Sequence, residues 1–182
     1  MTCRPLRAGT IATSLLAAIA AASAQDGYVW AEVDCAASRI APIAGATCRA
    51  TNAVAGRDAA AGMSRRHSMR GVTPLGHVNV VMSEAVDGGA YVLTLRSTVE
   101  YLKLMDRRAT DGSGWSVTAS HGDAEYHTFT SAVGESCVGF RRLGERRSGG
   151  FAWMMHGLLC APGGQTLEPG QLRGYIDATR PR

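Results

Sequence analysis

The chain predicts an α+β fold built mostly from antiparallel hairpins, and three observations point to it. Short apolar runs alternate with Gly- and Asp-rich turn signals rather than with long helical patterns. Only two or three short segments carry helix start and stop signals. Four of the five cysteines stand where two local bridges can staple a small sheet. The 182 residues, 46% hydrophobic and 19% charged, fit one domain and exclude disordered, collagen-like and coiled-coil chains.

Residues 1–24 read as a secretory signal peptide to be set apart from the fold. Arg4 and Arg7 precede an apolar stretch from Ile11 to Ala22, and Ala22-Ser23-Ala24 matches a small-x-small cleavage site before Gln25. That stretch is shorter than the roughly 20 residues that span a bilayer. No stable membrane insertion is therefore expected after signal cleavage, and the mature domain runs from residue 25 to residue 182. Its 17 basic and 15 acidic side chains leave a charge of only +2, too small to announce a nucleic-acid partner. A periplasmic or secreted location follows, most simply in bacteria. The mature cysteines are even in number, as an oxidising compartment favours. The expected pairing is the sequential one, Cys35–Cys48 and Cys137–Cys160. Zinc wants closely spaced cysteine pairs, and the chain has none.

Gly27 to Val33 alternates weakly and forms the first expected strand, running into a bridged loop from Cys35 to Cys48. Asp58 to Met69 reads as a short helix inside a connection, because Ala59, Ala60 and Ala61 are helix formers. Val78–Glu84 and Ala90–Arg96 are strand-like and joined by the turn Asp87-Gly88-Gly89. Ser97 and Glu100 have capping-box spacing, and Val99, Leu102 and Met105 repeat at helical spacing toward Arg108. Trp115–Ser120 and Glu125–Thr130 form a second hairpin turning at His121-Gly122-Asp123. Ser136–Arg142 and Phe151–Leu159 form a third, and centring it near Ser148 sets Cys137 opposite Cys160. Pro169 suits a first helical turn, with Leu172 and Ile176 facing a core.

Cys137-Val138-Gly139-Phe140, then Gly157-Leu158-Leu159-Cys160-Ala161, then Gly164, Leu167 and a closing helix resemble the tail of many small exported bacterial proteins. The resemblance implies an architecture for the last third of the chain. It implies no activity and no site residue.

Several chemistries lack their motifs. There is no G-x-S-x-G, S-x-x-K, H-E-x-x-H, Walker or dinucleotide loop, and the single mature lysine, Lys103, sits in an ordinary amphipathic helix. No cofactor is expected. His121, Asp123, Glu125 and His127 alternate with small or aromatic residues, so a continuous strand would place all four on one face as ligands for a divalent metal. A turn at Gly122 would break that row. Met63, His67 and Met69, with Met154, Met155 and His156, offer thioether and imidazole ligands of the kind Cu(I) takes. Cys137 with His127 or His156 would need a free thiolate, which oxidation removes.

Arg141, Arg142, Arg146 and Arg147 surround a Gly-rich hairpin tip with Trp153 nearby, a pattern suited to a protein or an anionic envelope component. The reading is an exported, non-catalytic binding domain of the bacterial envelope, such as an inhibitor or accessory protein. The alternatives are a metal-binding protein or metal-dependent hydrolase on the His121–His127 row, and a structural subunit of an envelope complex.

Overall fold

Long alternating runs supply the centre of the sheet and shorter ones its margins. A computed structural model describes residues 27–55, 62–86, 92 and 96–182. The strands are β1 (Trp30–Val33), β2 (Ala46–Thr51), β3 (Val54–Ala55), β4 (Met63–Thr73), β5 (Gly76–Val86), β6 (Ala119–His121), β7 (Ala124–Thr130), β8 (Ser136–Leu143), β9 (Arg146–Arg147), β10 (Gly150–Phe151) and β11 (Trp153–Cys160). The helices are α1 (Thr98–Met105), α2 (Arg107–Thr110) and α3 (Pro169–Ala178). One sheet runs β1-β2-β4-β5-β11-β8-β7-β6, with β3 added beside β4 and every pairing antiparallel. A separate two-stranded ribbon, β9–β10, forms the tip of the β8–β11 hairpin.

Because side chains alternate across a strand, the sheet has two faces, each with its own core. On one face Met69, Val80, Met82, Val138, Phe140 and Met155 pack with Leu172, Tyr175 and Ile176 of α3 and with Ile40. On the other, Leu102 and Ala109 from α1 and α2 meet Phe129, Cys137, Leu158 and Cys160. The tail after α3 returns to the amino-terminal segment, where the Ala41 amide donates to the Arg180 carbonyl at 2.9 Å.

Both expected disulfides are present, Cys35–Cys48 and Cys137–Cys160. The second joins register partners of β8 and β11 and closes the open end of their hairpin. The expected box at Ser97 and Glu100 caps α1. Helical structure toward Arg108 is interrupted at Asp106, whose extended backbone ends α1 and whose side chain caps α2.

Three expectations need correction. Residues 63–69, read as helical, lie in the long strand β4, which pairs with β5 along its whole length. Tertiary pairing overrides the local preference there; residues 58–61 lie outside the described residues. Val78–Glu84 does not pair with Ala90–Arg96, because β4 and β11 occupy both edges of β5. Val92 instead bridges Phe151, and the rest of the expected partner strand from 90 to 95, with the turn at 87–89, lies outside the described residues. The strand expected at Trp115–Ser120 is shorter, only Ala119–His121. The helices are few and short beside the sheet, so the fold is sheet-dominated.

Gly139 and Gly157, inside strands, are among the glycines that mark close approaches. A Cβ on Gly139 would run into the Leu102 side chain of α1, and one on Gly157 into the Phe140 ring. Gly139→Ala is expected to overpack this contact and destabilise the protein by about 1–3 kcal/mol. Urea unfolding reads the change as a lower midpoint, and a variant as stable as the parent would show that α1 can lift freely.

Candidate functional site

The candidate residues cluster at the end of the sheet where the β6–β7 turn lies beside the outgoing end of β8. Gly122 makes that turn with a φ of 58°, a conformation glycine adopts without strain. The turn interrupts the alternation, and the four expected metal ligands separate onto two faces. His121 Nε2 lies 3.0 Å from Asp177 Oδ2 on α3. Asp123, on the same side, forms an ion pair with Arg142. Glu125 faces α1, where it meets Arg141 at 2.9 Å and accepts from the Thr98 hydroxyl. His127 Nδ1 donates to the Ser116 carbonyl at 2.9 Å. The structure does not bring these four residues together. Among the described residues, the only His, Cys and carboxylate ligand atoms grouped closely enough for one ion are those of Glu135, Cys137 and Cys160, and the two sulfurs are bonded to each other.

The arginine cluster also divides. The Arg142 side chain is 3% exposed and donates to the Ile176 carbonyl at 2.9 Å, tying the sheet to α3. Its pKa is lowered by burial, with Arg180 adding to the effect. Arg141 is mostly buried and donates to the Arg96 carbonyl at 3.0 Å, besides pairing with Glu125. Both are internal supports. Arg146 and Arg147, by contrast, are exposed on the β9–β10 ribbon. Trp153 is half-buried against the α3-side core and lies over Gly144, so it braces the base of the ribbon.

Between the turn and β8 lies an open depression of about 210 Å³, lined by Ser120, Gly122, Asp123, Glu125, Arg141 and Leu143 among others. Two of the expected metal ligands, Asp123 and Glu125, and one of the four arginines, Arg141, line its wall. Every charged side chain lining it is already in an ion pair, Asp123 with Arg142 and Glu125 with Arg141. Such a wall can admit a small polar group but holds no uncompensated acid or base.

Comparison with known proteins found no matching family model, and no match among curated proteins or solved structures.

The structure also pairs histidines with carboxylates that the sequence reading did not connect. His77 Nε2 lies 3.0 Å from Asp106 Oδ2, to which Asn79 also donates at 3.0 Å. Burial pushes the Asp106 carboxyl up, but the bonds from His77, the Arg108 amide and Asn79 outweigh it and hold the group well below its ordinary range. His67 Nε2 lies 2.9 Å from Glu84 Oε1, and Arg39 Nε donates to the other oxygen at 3.1 Å. The bond from His67 is the main cause of the lowered Glu84 pKa. These partners are far apart in sequence and meet only through strand register, loop packing or the α1–α2 break. His156 is different. It is buried under Tyr101, with ring centres 4.4 Å apart, and burial with Arg141 nearby pushes its pKa down to about 3. Lys103 sits over the Trp115 ring at 5.7 Å, an ordinary cation–π contact.

Proposed function

We propose that the protein is an exported, non-catalytic binding domain of the bacterial envelope that grips an anionic component through the β9–β10 ribbon. The observation that carries this reading is the exposure of Arg146 and Arg147 on a ribbon with a fixed base. The Gly144 amide donates to the Trp153 carbonyl and the Ala152 amide to the Glu145 carbonyl, both at 2.9 Å, while Val92 bridges Phe151. Successive residues point to opposite sides of a strand, so the two guanidinium groups flank the ribbon. Arginine suits planar oxyanions such as phosphate and carboxylate because its donors form a fixed fork. Export is supported by the leader-like residues 1–24 and by two disulfides, which persist in oxidising compartments. Among the described residues, no helix is long and apolar enough to cross a membrane.

The test follows from the split in the arginine cluster. Arg146→Ser with Arg147→Ser is expected to weaken co-sedimentation with phosphatidylglycerol vesicles at low salt by about 30-fold, from about 1 kcal/mol per arginine near an anionic surface. Arg70→Ser with Arg173→Ser, two exposed changes on β4 and α3, serves as the charge-matched control. Equal binding by the parent and the ribbon variant would remove the ribbon from the function. Replacing Arg141 or Arg142 would not test it, because those side chains hold the fold.

A further inference from the structure

We propose that His67, Met82 and Met155 form a buried site for a soft monovalent metal ion, Cu(I). The three residues occupy one row across three adjacent strands. His67 on β4 is the register partner of Met82 on β5, and Met82 is the register partner of Met155 on β11. Directly opposed residues on one sheet face have Cβ atoms about 4.5–5.5 Å apart, within reach of flexible thioether side chains. All three belong to the α3-side face, where Met82 and Met155 are completely buried and His67 is 4% exposed. The row re-sorts the soft ligands visible in the sequence. Met63 is partly exposed at the start of β4, while Met154 and His156 point to the opposite face. Met69 shares the face but already accepts the Ile43 amide on its sulfur at 3.2 Å.

The histidine carries the argument. Its Nε2 is held by Glu84, and Glu84 is held in turn by Arg39. Its Nδ1 is buried and has no hydrogen-bond partner among the described residues. A buried polar atom left unsatisfied is costly, so it calls for a reason. In the tautomer whose Nε2–H donates to the carboxylate, Nδ1 carries a lone pair. A carboxylate that fixes the ring in this way is the usual support behind a metal-ligating imidazole.

Thioethers and a neutral imidazole in an apolar setting select a soft ion over hard or strongly hydrated divalent ones. Of the cations on this side, Arg39 pairs with Glu84 and Arg142, the register partner of Met155, with Asp123, while Arg65, the register partner of Glu84, is exposed at the solvent end of the row. Side-chain exposure falls from Arg39 at 50% through Glu84 at 14% to His67 at 5%, which places the dyad between solvent and the thioethers. The site is independent of the ribbon and of any partner bound there.

The experiment is an anaerobic Cu(I) titration of the disulfide-bonded protein against a chromophoric Cu(I) chelator, with ascorbate as a reductant that leaves disulfides intact. One Cu(I) per chain is expected, with nitrogen and two sulfur neighbours in X-ray absorption. Met82→Leu with Met155→Leu conserves volume and so keeps the fold. It is expected to lower Cu(I) affinity by about a hundredfold or more, since loss of even a supporting group behind a ligand costs about 10–100-fold. Glu84→Gln is expected to fall within that supporting range, and Met63→Leu with Met154→Leu to change nothing. Failure of the parent to hold Cu(I) against the chelator would overturn the site. So would unchanged affinity in the Met82, Met155 variant, or equal retention of zinc.

Discussion

Replacing Cys137 and Cys160 together by alanine is expected to lower the free energy of unfolding by about 4 kcal/mol. Closing a loop of this length, with a sequence separation of 23, restricts the unfolded chain by about 3 kcal/mol. The remainder comes from packing. Both sulfurs lie in the core between α1 and the sheet, with Leu102, Leu158 and Phe129, and removing them leaves space that fixed neighbours cannot fully refill. The Cys35–Cys48 bridge closes a shorter loop, with a separation of 13, and Cys35 is only partly buried. Its double alanine variant should therefore lose less, about 3 kcal/mol. Urea unfolding of the two variants side by side gives the order. If the Cys35, Cys48 variant proves the weaker one, the cross-strand bridge is not the principal staple of the sheet.

Acid should destabilise the protein well before its carboxylates titrate. His156 has its pKa pushed from an ordinary 6.5 down to about 3, first by burial and then by Arg141. The folded value lies below the unfolded one, so near pH 5 the unfolded chain binds a proton on this ring that the folded chain refuses. The contribution is fully present above about pH 6.5 and is lost progressively as pH falls toward 3. At 1.36 kcal/mol per unit, the whole window amounts to about 4–5 kcal/mol. The lowered pKa of Glu84 acts lower on the scale, its stabilisation being present above about 4.5 and lost as pH falls through the folded value.

His156→Phe separates the two effects. It keeps a ring under Tyr101 and removes both the titration and an Nε2 that has no partner among the described residues. The expected result is a shallower fall in stability than the parent's between about pH 6.5 and 5. Chemical unfolding at half-unit pH steps measures it, and parallel slopes for parent and variant between pH 6.5 and 5 would refute the assignment.

What the sequence revealed was mostly local. The Ser97–Glu100 box, the start of α3 at Pro169 and the hairpin that sets Cys137 against Cys160 each depend on residues close in the chain. The second half of the sheet was legible for the same reason. The strand β4 was not, because its ladder comes from β5 and its inward residues, His67 and Met69, follow a run of alanines that favours a helix. The candidate site was half legible. Residue types at 121–127 and 141–147 were conspicuous, but which arginines face solvent depends on Asp123, Glu125 and Ile176 reaching them through the tertiary fold. The His67–Glu84–Arg39 chain had no sequence signal, since its members lie on three separate segments.

The order of strands within the sheet also dictates an order of events. The central position between β5 and β8 is filled by β11, the last strand of the chain. A polypeptide emerging amino terminus first therefore presents two incomplete halves, β1 to β5 and β6 to β8, each with an unpaired edge. Only the arrival of Trp153–Cys160 fuses them, pairing Cys160 with His77 on one side and with Cys137 on the other. Loop closure must precede those contacts, which makes β11 a keystone inserted late and the step before its insertion the slow, vulnerable one.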